Sequence, residues 1–265
     1  MSDFKVTRYR VRTGKDGKVL ERPFSAVFLS DLHNMSYGEN NSALLQEIRN
    51  ENPAMVLIAG DMLTAGREPQ MDAAISLMNE LTKRYQVYYV NGNHEHRMKE
   101  NPEKYGTSYE RYSNTIKSLG VHLLENGSER LEIQRMAFRI WGLELEQAYF
   151  RRGSSRALTA SKVEELLGTP EESCFHILLA HHPAYFDAYA SWGADLTLSG
   201  HLHGGIIRLP LVGGVVSPQM RLFPKYDKGM YTQKGKKLIV SAGLGSHTIN
   251  LRINNPPELV VIDFV

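Results

Sequence analysis

The sequence predicts a single α/β domain that contains a pair of mixed β-sheets. Three observations support this class. Short apolar runs alternate with helical repeats through the first half of the chain, the order that gives parallel strands joined by helical crossovers. The last third is rich in short strands, and no repeat or low-complexity linker divides the 265 residues. A chain of this length allows one large domain or two small ones, so the missing linker favours one.

The N-terminal segment, residues 1–22, predicts a pair of strands. Residues 4–12 alternate apolar and polar side chains, as in a half-exposed strand, and residues 14–17 read Gly-Lys-Asp-Gly, a turn sequence. The segment is also cationic through Arg8, Arg10, Arg12, Lys15, Lys18 and Arg22. A solvated strand pair accounts for these charges, and contact with an anionic membrane surface is the alternative reading.

The rest of the chain divides into buried strands, helices and later hairpins. Apolar runs predict strands at 24–30, 55–59, 87–90, 175–180 and 195–199. Apolar residues at helical spacing predict helices at 41–51, 70–84, 108–119 and 159–167. Shorter β-rich stretches predict a strand at 121–124, an antiparallel hairpin over 128–145, and strands at 229–233, 237–241 and 258–264.

Composition excludes several functional classes. With one cysteine, Cys174, the chain has no intrachain disulfide, Fe–S cluster or cysteine-rich zinc site. A net charge of +2 from 31 basic and 29 acidic residues argues against a nucleic-acid partner. A charged N-terminus and the lack of a long apolar run predict a cytoplasmic protein, with peripheral membrane contact left open. Ten histidines make imidazole and carboxylate the ligands available to a metal.

A polar cluster follows each of the five buried strands. The clusters contain Asp31 and His33, Asp61, Asn93 and His94, His181, and His201 with His203. Because open α/β sheets bind ligands beyond the carboxyl ends of their strands, we expect these residues to converge on one edge of the sheet. Any single cluster could be a turn, but five at five strand ends point to a metal site. Asp, Asn and His side chains suit manganese, iron or zinc.

In this order, the motifs Asp-x-His, Gly-Asp, Gly-Asn-His-Glu, His and Gly-His-x-His resemble those of the calcineurin-like metallophosphoesterases. The resemblance runs from about residue 24 to the C-terminus. It implies a four-layer αββα sandwich, two mixed sheets flanked by helices, with two metal ions between the sheets. It also implies that Asp31, His33 and His203 bind the first metal, that Asn93, His181 and His201 bind the second, that Asp61 bridges both, and that His94 lies beside the substrate.

The implied activity is hydrolysis of a phosphomonoester, phosphodiester or pyrophosphate bond by a metal-bridging hydroxide. Asp61 and His94 are the expected catalytic residues; His94 would protonate the leaving oxygen or stabilise the phosphoryl oxygens. Asn34 and Asn93 would contact the substrate together with His94, although Asn34 also suits a turn cap. Glu95 would either orient an imidazole or be a plain surface carboxylate. The alternative is a non-catalytic, metal-bound scaffold that binds a protein partner.

Residues 204–235 predict a β-hairpin excursion from the core. The stretch 204–231 resembles the phosphohydrolase subgroup related to UDP-2,3-diacylglucosamine hydrolases. Its apolar residues would cover the core, pack an acyl chain or touch a membrane. The substrate is therefore expected to be a small-molecule phosphate ester, with nucleotides and lipid-linked compounds both open. His247 is a further candidate for the rim of the site.

Overall fold

A computed structural model describes residues 4–15, 19–66, 68–151, 156–205, 207–209, 213–216, 224–246 and 252–265. The strands in these ranges are β1 (Lys5–Val11), β2 (Phe24–Leu29), β3 (Met55–Ile58), β4 (Gln86–Tyr89), β5 (His122–Leu123), β6 (Gly127–Ile133), β7 (Met136–Leu143), β8 (Phe175–Ala180), β9 (Leu196–Ser199), β10 (Ile207–Leu209), β11 (Gly213–Val216), β12 (Gly229–Gln233), β13 (Lys236–Val240) and β14 (Glu258–Phe264). The α-helices are α1 (Ser42–Glu51), α2 (Asp72–Thr82), α3 (Asn93–Glu100), α4 (Pro102–Tyr105), α5 (Ser108–Ser118), α6 (Ala160–Leu167) and α7 (Phe186–Trp192).

Two sheets of six described strands form the middle of the protein. The first has the order β1-β14-β2-β3-β4-β5 and the second has the order β12-β13-β9-β8-β7-β6. In the first sheet, β2 to β5 run parallel and β14 is antiparallel to β2; in the second, β7, β8, β9 and β13 run parallel and the outer strands β6 and β12 are antiparallel. Both sheets are therefore mixed, as the sequence predicts.

Side-chain alternation along the strands shows why the elements stack in four layers. Along β2, Val27 and Leu29 pack with apolar residues of α1, α2 and α5. Ala26 and Phe28 point to the opposite face and pack with residues of the second sheet. On its far side, the second sheet packs against α6 and α7 through residues such as Trp141. Three apolar interfaces separate four layers, which confirms the αββα sandwich.

The N-terminal segment differs from its prediction. β1 is a strand, but it pairs in parallel with β14, from Lys5 opposite Glu258 to Val11 opposite Phe264. Residues 19–23 form no strand. Alternation reveals that a segment is extended but not which strand it pairs with, and β14, buried along most of its length, gains a neighbour on each side. Among the five of these cations that the structure describes, two have acidic partners: Arg8 pairs with Glu51 and Asp263, and Lys15 with Asp195.

The expected excursion over 204–235 contains three described strands. β10 and β11 form an antiparallel pair of their own, whereas β12 is the edge strand of the second sheet. The remaining parts of the stretch, and His247, lie outside the described residues. Across the described ranges, no helix is both long and apolar enough to cross a membrane.

Candidate metal centre

The residues predicted for the site lie at the carboxyl ends of strands from both sheets. Asp31, Asp61 and Asn93 follow β2, β3 and β4 of the first sheet, while His181 and His201 follow β8 and β9 of the second. All are buried, as are His33, His94 and His203. The prediction that these residues converge on one edge of a single sheet is therefore wrong. The two sheets pack face to face and bring two edges together.

These side chains form three groups in which one ligand atom from each member lies within 4.8 Å of the others. The groups are Asp31 with His33 and His203, His33 with Asp61 and His94, and Asp61 with His181 and His201. In the first group, the Nε2 of His203 lies 3.4 Å from Oδ1 of Asp31 and 3.3 Å from the Nε2 of His33. Shared members make the three groups one continuous centre.

Asp61 lies between two of the groups. Its Oδ2 is 3.1 Å from the Nε2 of His181 and 3.9 Å from the Nε2 of His33. Its Oδ1 accepts a hydrogen bond of 2.8 Å from the backbone N–H of His94. One carboxylate oxygen therefore faces imidazoles on two sides, while the other is used to fix its orientation.

Backbone acceptors orient the imidazoles. The Nδ1 of His181 is 2.5 Å from the carbonyl oxygen of Ala59, and the Nδ1 of His203 is 3.2 Å from that of Gly245. A proton on Nδ1 satisfies each carbonyl and leaves a lone pair on Nε2, the atom that faces the carboxylates. This is the tautomer that a metal-binding histidine requires.

A buried polar atom without a hydrogen bond shows that the centre fits cations. Among the described residues, Oδ1 of Asn93 has no hydrogen-bond partner, whereas Nε2 of His181 faces the carboxylate of Asp61 at 3.1 Å. An orphaned acceptor such as Oδ1 of Asn93 is rare in folded proteins unless an ion or water satisfies it. Nitrogen and oxygen donors of this kind suit divalent transition metals.

The ionisable groups of the centre differ in their protonation. Burial holds the pKa of His33 well below its usual value, and burial with the neighbouring His182 and His181 does the same for His201. Burial also opposes a charge on His181, but Asp61 and Asp31 outweigh it and raise its pKa to about 9. Asp61 is the counterpart: despite its burial, His181 and His94 hold its pKa well below the usual range. His33 and His201 are thus neutral imidazoles, the form that metal binding requires, whereas His181 holds a proton beside Asp61 that a bound cation would displace.

The backbone at the centre adopts left-handed conformations. The site residues in this region, with φ between 48° and 72°, are Asp31, His33, Asn34, Asp61, His201 and His203. Non-glycine residues in this conformation each cost about 1–3 kcal/mol and cluster at functional sites. A glycine is also required beside Asp61, because a Cβ on Gly92 would overlap Oδ1 of Asp61. The chain thus turns sharply after β2, β3 and β9, where these residues lie.

Glu95 has a role that both predictions missed. It is fully buried rather than a surface carboxylate. It contacts backbone rather than an imidazole: Oε2 accepts N–H groups from Asp61 and Gly92 at 3.0 Å each, and Oε1 accepts that of Leu63 at 2.9 Å. Burial and the Asp61 carboxylate raise its pKa to about 7, while the N–H donors oppose this rise. Glu95 therefore fixes the loop that carries Asp61. A glutamate three residues after a helix N-cap is the sequence signal for such a contact.

His94 is the second residue of α3 and lies beside the centre. Its Nδ1 accepts the backbone N–H of Ala65 at 2.9 Å. A neutral His94 therefore carries its proton on Nε2, which makes that atom a donor rather than a lone pair for a metal. Its ring centroid is 5.1 Å from that of His33.

Asn34, a predicted substrate contact, and the neighbouring His182 border the centre. Asn34 is half-buried directly after His33, and its Oδ1 has no hydrogen-bond partner among the described residues. The ring of His182 is tilted against that of His201, with ring centroids 4.5 Å apart. Two neighbours were not predicted: the ring of Phe150 is 5.2 Å from that of His201, and the Nε2 of Gln147 donates to the carbonyl of Asn93 at 2.9 Å. No motif marks either residue in the sequence.

Comparison with known proteins identifies the family of this chain. The model of the family described as calcineurin-like phosphoesterase matches residues 24–205. Phosphodiesterase YaeI of Escherichia coli is 25% identical over 266 residues, covering 99% of this chain and 88% of the relative. Metallophosphoesterase YkoQ of Bacillus subtilis is 24% identical over 92% of this chain and 85% of its own length.

Solved structures share the fold at low identity. A putative 5'-nucleotidase from Staphylococcus aureus superposes with a TM-score of 0.52 at 14% identity, over 90% of this chain and 54% of that one. Phosphopantetheinyl hydrolase from Mycobacterium tuberculosis gives 0.50 at 14% identity, over 82% and 88%. Since the family model matches well over half of the chain, the protein belongs to the calcineurin-like phosphoesterase family of metal-dependent phosphoric ester hydrolases.

Proposed function

We propose that this protein uses two metal ions to hydrolyse a phosphate ester of a small molecule. The observation that carries the proposal is the position of Asp61, whose Oδ2 faces His181 on one side and His33 on the other. A carboxylate in this position would hold two cations close together, as two-metal phosphoester hydrolysis requires.

The proposed ligands follow the two outer groups of the centre. Asp31, His33 and His203 would hold the first ion, Asn93, His181 and His201 the second, and Asp61 both. His94 is left out of both sets because its Nδ1 accepts a backbone N–H and its Nε2 carries the proton. Manganese, iron and zinc all suit this donor set.

Three residues of the chain would act on the substrate itself. When bound, the ions would neutralise phosphoryl oxygens and lower the pKa of the attacking water. The Nε2 proton of His94 would pass to the leaving oxygen or stabilise the phosphoryl oxygens. Asn93 can direct its Oδ1 to a metal and its amide N–H to the phosphate, and the amide of Asn34 would supply another donor.

The proposal extends to the type of phosphate bond that is hydrolysed and to the organic group of the substrate. YaeI is named a phosphodiesterase and the Staphylococcus aureus neighbour a putative 5'-nucleotidase, so monoesters and diesters both belong in an assay. Nucleotides and lipid-linked phosphates, including UDP-acylated sugars, are the two substrate classes to compare. The sequence also leaves open a cytoplasmic location with peripheral membrane contact.

Hydrolysis by metal-reconstituted protein tests the proposal. We expect turnover of p-nitrophenyl phosphate or bis(p-nitrophenyl) phosphate, and its loss in Asp61→Asn, which keeps the shape of the side chain but removes the charge shared by the cations. Asp72→Asn is the matched control, since Asp72 is an exposed carboxylate at the start of α2. Metal content measured by mass spectrometry should fall in the first variant only.

The scaffold alternative predicts a different result in the same experiment. Wild-type protein with its full metal content but no turnover across monoesters, diesters and pyrophosphates would favour a partner-binding role. Full activity in Asp61→Asn would contradict the proposed chemistry itself.

A further inference from the structure

A basic pocket opens beside the metal centre. It has a volume of about 620 Å³ and is lined by Arg97, Glu100, Asn101, Gln147 and Arg151. Its size lies within the range of small-molecule sites. None of these lining residues is among the proposed metal ligands, so the pocket is a separate feature of the surface.

Two connections place the pocket next to the reacting groups. Gln147, in its wall, donates to the backbone carbonyl of Asn93 at 2.9 Å. Arg97 lies four residues after Asn93 on α3, which puts both on one side of that helix about one turn apart. A molecule whose phosphate contacts Asn93 can therefore extend into the pocket.

The segment that forms the other wall also reaches the centre. Phe150 precedes Arg151, and its ring lies 5.2 Å from that of His201 and 6.2 Å from that of His181. The short stretch from Gln147 to Arg151 thus runs from the imidazoles of the site to the pocket. The contact of Phe150 with these imidazoles restricts the position of the Arg151 backbone.

The charges in the pocket favour an anion. Neither Arg97 nor Arg151 forms an ion pair within the described part of the chain, whereas Glu100 lies 3.0 Å from the Nε2 of His96. Two guanidinium groups thus face one carboxylate that already has a neighbour. Guanidinium binds phosphate through two parallel hydrogen bonds, and its charge is fixed at any physiological pH.

We propose that Arg97 and Arg151, with Gln147 between them and the metal centre, bind a second phosphate group of the substrate. This inference rests on the proposed function and narrows its substrate class to phosphate esters that carry two phosphates. The first phosphate lies at the metal centre and is hydrolysed; the second is held in the pocket and sets specificity.

Steady-state kinetics of the metal-reconstituted protein test the assignment. Adenosine 3',5'-bisphosphate and adenosine 5'-diphosphate are each compared with adenosine 5'-monophosphate by phosphate release. We expect wild type to prefer at least one of the two-phosphate substrates, through a lower KM. The ratio of kcat/KM between that substrate and the monophosphate should fall about tenfold in Arg97→Gln or Arg151→Gln and about a hundredfold in the double variant.

Two further variants sharpen the test. Glu100→Gln removes the one carboxylate of the pocket and should lower KM for the preferred two-phosphate substrate. Arg10→Gln, at an exposed position on β1, is the matched control and should leave the ratio unchanged. Raising the ionic strength should reduce the wild-type preference, because the arginines are partly exposed to solvent.

The outcomes separate the two proposals. Absence of turnover on all three nucleotides and on p-nitrophenyl esters would contradict the proposed function. Turnover without preference for either two-phosphate substrate, or a preference retained in the double variant, would overturn the pocket assignment and leave the phosphoesterase proposal standing.

Discussion

Replacing Glu95 by glutamine should destabilise the protein and weaken its metal centre. The glutamate accepts three backbone N–H groups, those of Asp61, Gly92 and Leu63. A glutamine has one acceptor oxygen, so at best it keeps the two donors shared by Oε2 and turns its amide N–H toward Leu63. One buried donor then loses its partner, which costs about 1–3 kcal/mol. The charge of Glu95 adds little to this loss, because burial and the Asp61 carboxylate raise its pKa to about 7. We expect the free energy of unfolding to fall by about 1–3 kcal/mol.

The assay for Glu95→Gln combines urea unfolding with metal analysis. Because Glu95 holds the backbone of Asp61, metal content and kcat/KM for p-nitrophenyl phosphate should fall together with stability, kcat/KM by at least about tenfold. Glu103→Gln, an exposed glutamate on α4, controls for the loss of a charge. A free energy of unfolding within about 0.5 kcal/mol of the wild-type value, together with full metal content, would contradict this prediction.

Four other perturbations have defined outcomes. Gly92→Ala should abolish metal binding, because its Cβ would overlap Asp61, whereas Gly127→Ala, with open space around its Cα, should not; metal content distinguishes them. His94→Ala should lower kcat by about 10²–10⁴-fold at unchanged metal content. Although burial acts the other way, Lys117, Lys99 and Tyr109 lower the pKa of Glu125 to about 2. The ionised Glu125 contributes about 1 kcal/mol to the free energy of unfolding after solvent screening. This contribution is present above the pKa that Glu125 has in the unfolded chain and is lost as the pH falls toward 2. The difference in the free energy of unfolding between wild type and Glu125→Gln should therefore narrow on acidification. Chelation of the metals should lower Tm, as expected for ligands that bind only the folded state, and addition of metal should restore it.

The strand ends could be predicted because their signal is local. An apolar run that stops at an acid or histidine beside glycine identifies a buried strand and its polar turn, as at Asp31 and Asp61. Parallel-strand geometry then places such turns on a common edge. The distribution of the five strands over two sheets could not be read this way, because periodicity does not specify strand partners.

Other features could not be predicted because their contacts are long-range. α3 begins at Asn93, within the most specific motif. Met98 is its one buried apolar residue, so its sequence has no apolar repeat that would predict a helix. Gln147 begins a short helical turn and Phe150 directly follows it. The sequence of this stretch resembles any loop, and only tertiary packing brings the two residues to Asn93 and His201. The pairing of β1 with β14 joins the two ends of the chain.

The metal centre also forms part of the contact between the two sheets. The N–H of His201, after β9, donates to the carboxylate of Asp31, after β2, at 3.1 Å. The Nδ1 of His181, after β8, lies 2.5 Å from the carbonyl of Ala59, after β3. A Cβ on Gly200 would overlap Asp31 and Ser30, so this close approach requires glycine. The strained turns are therefore held by hydrogen bonds that cross between the sheets, and the positions of the proposed ligands depend on how the sheets pack. A mutation in the apolar layer between the sheets, far from any ligand, should disturb the metal centre more than an equally destabilising mutation beneath α1 or α6.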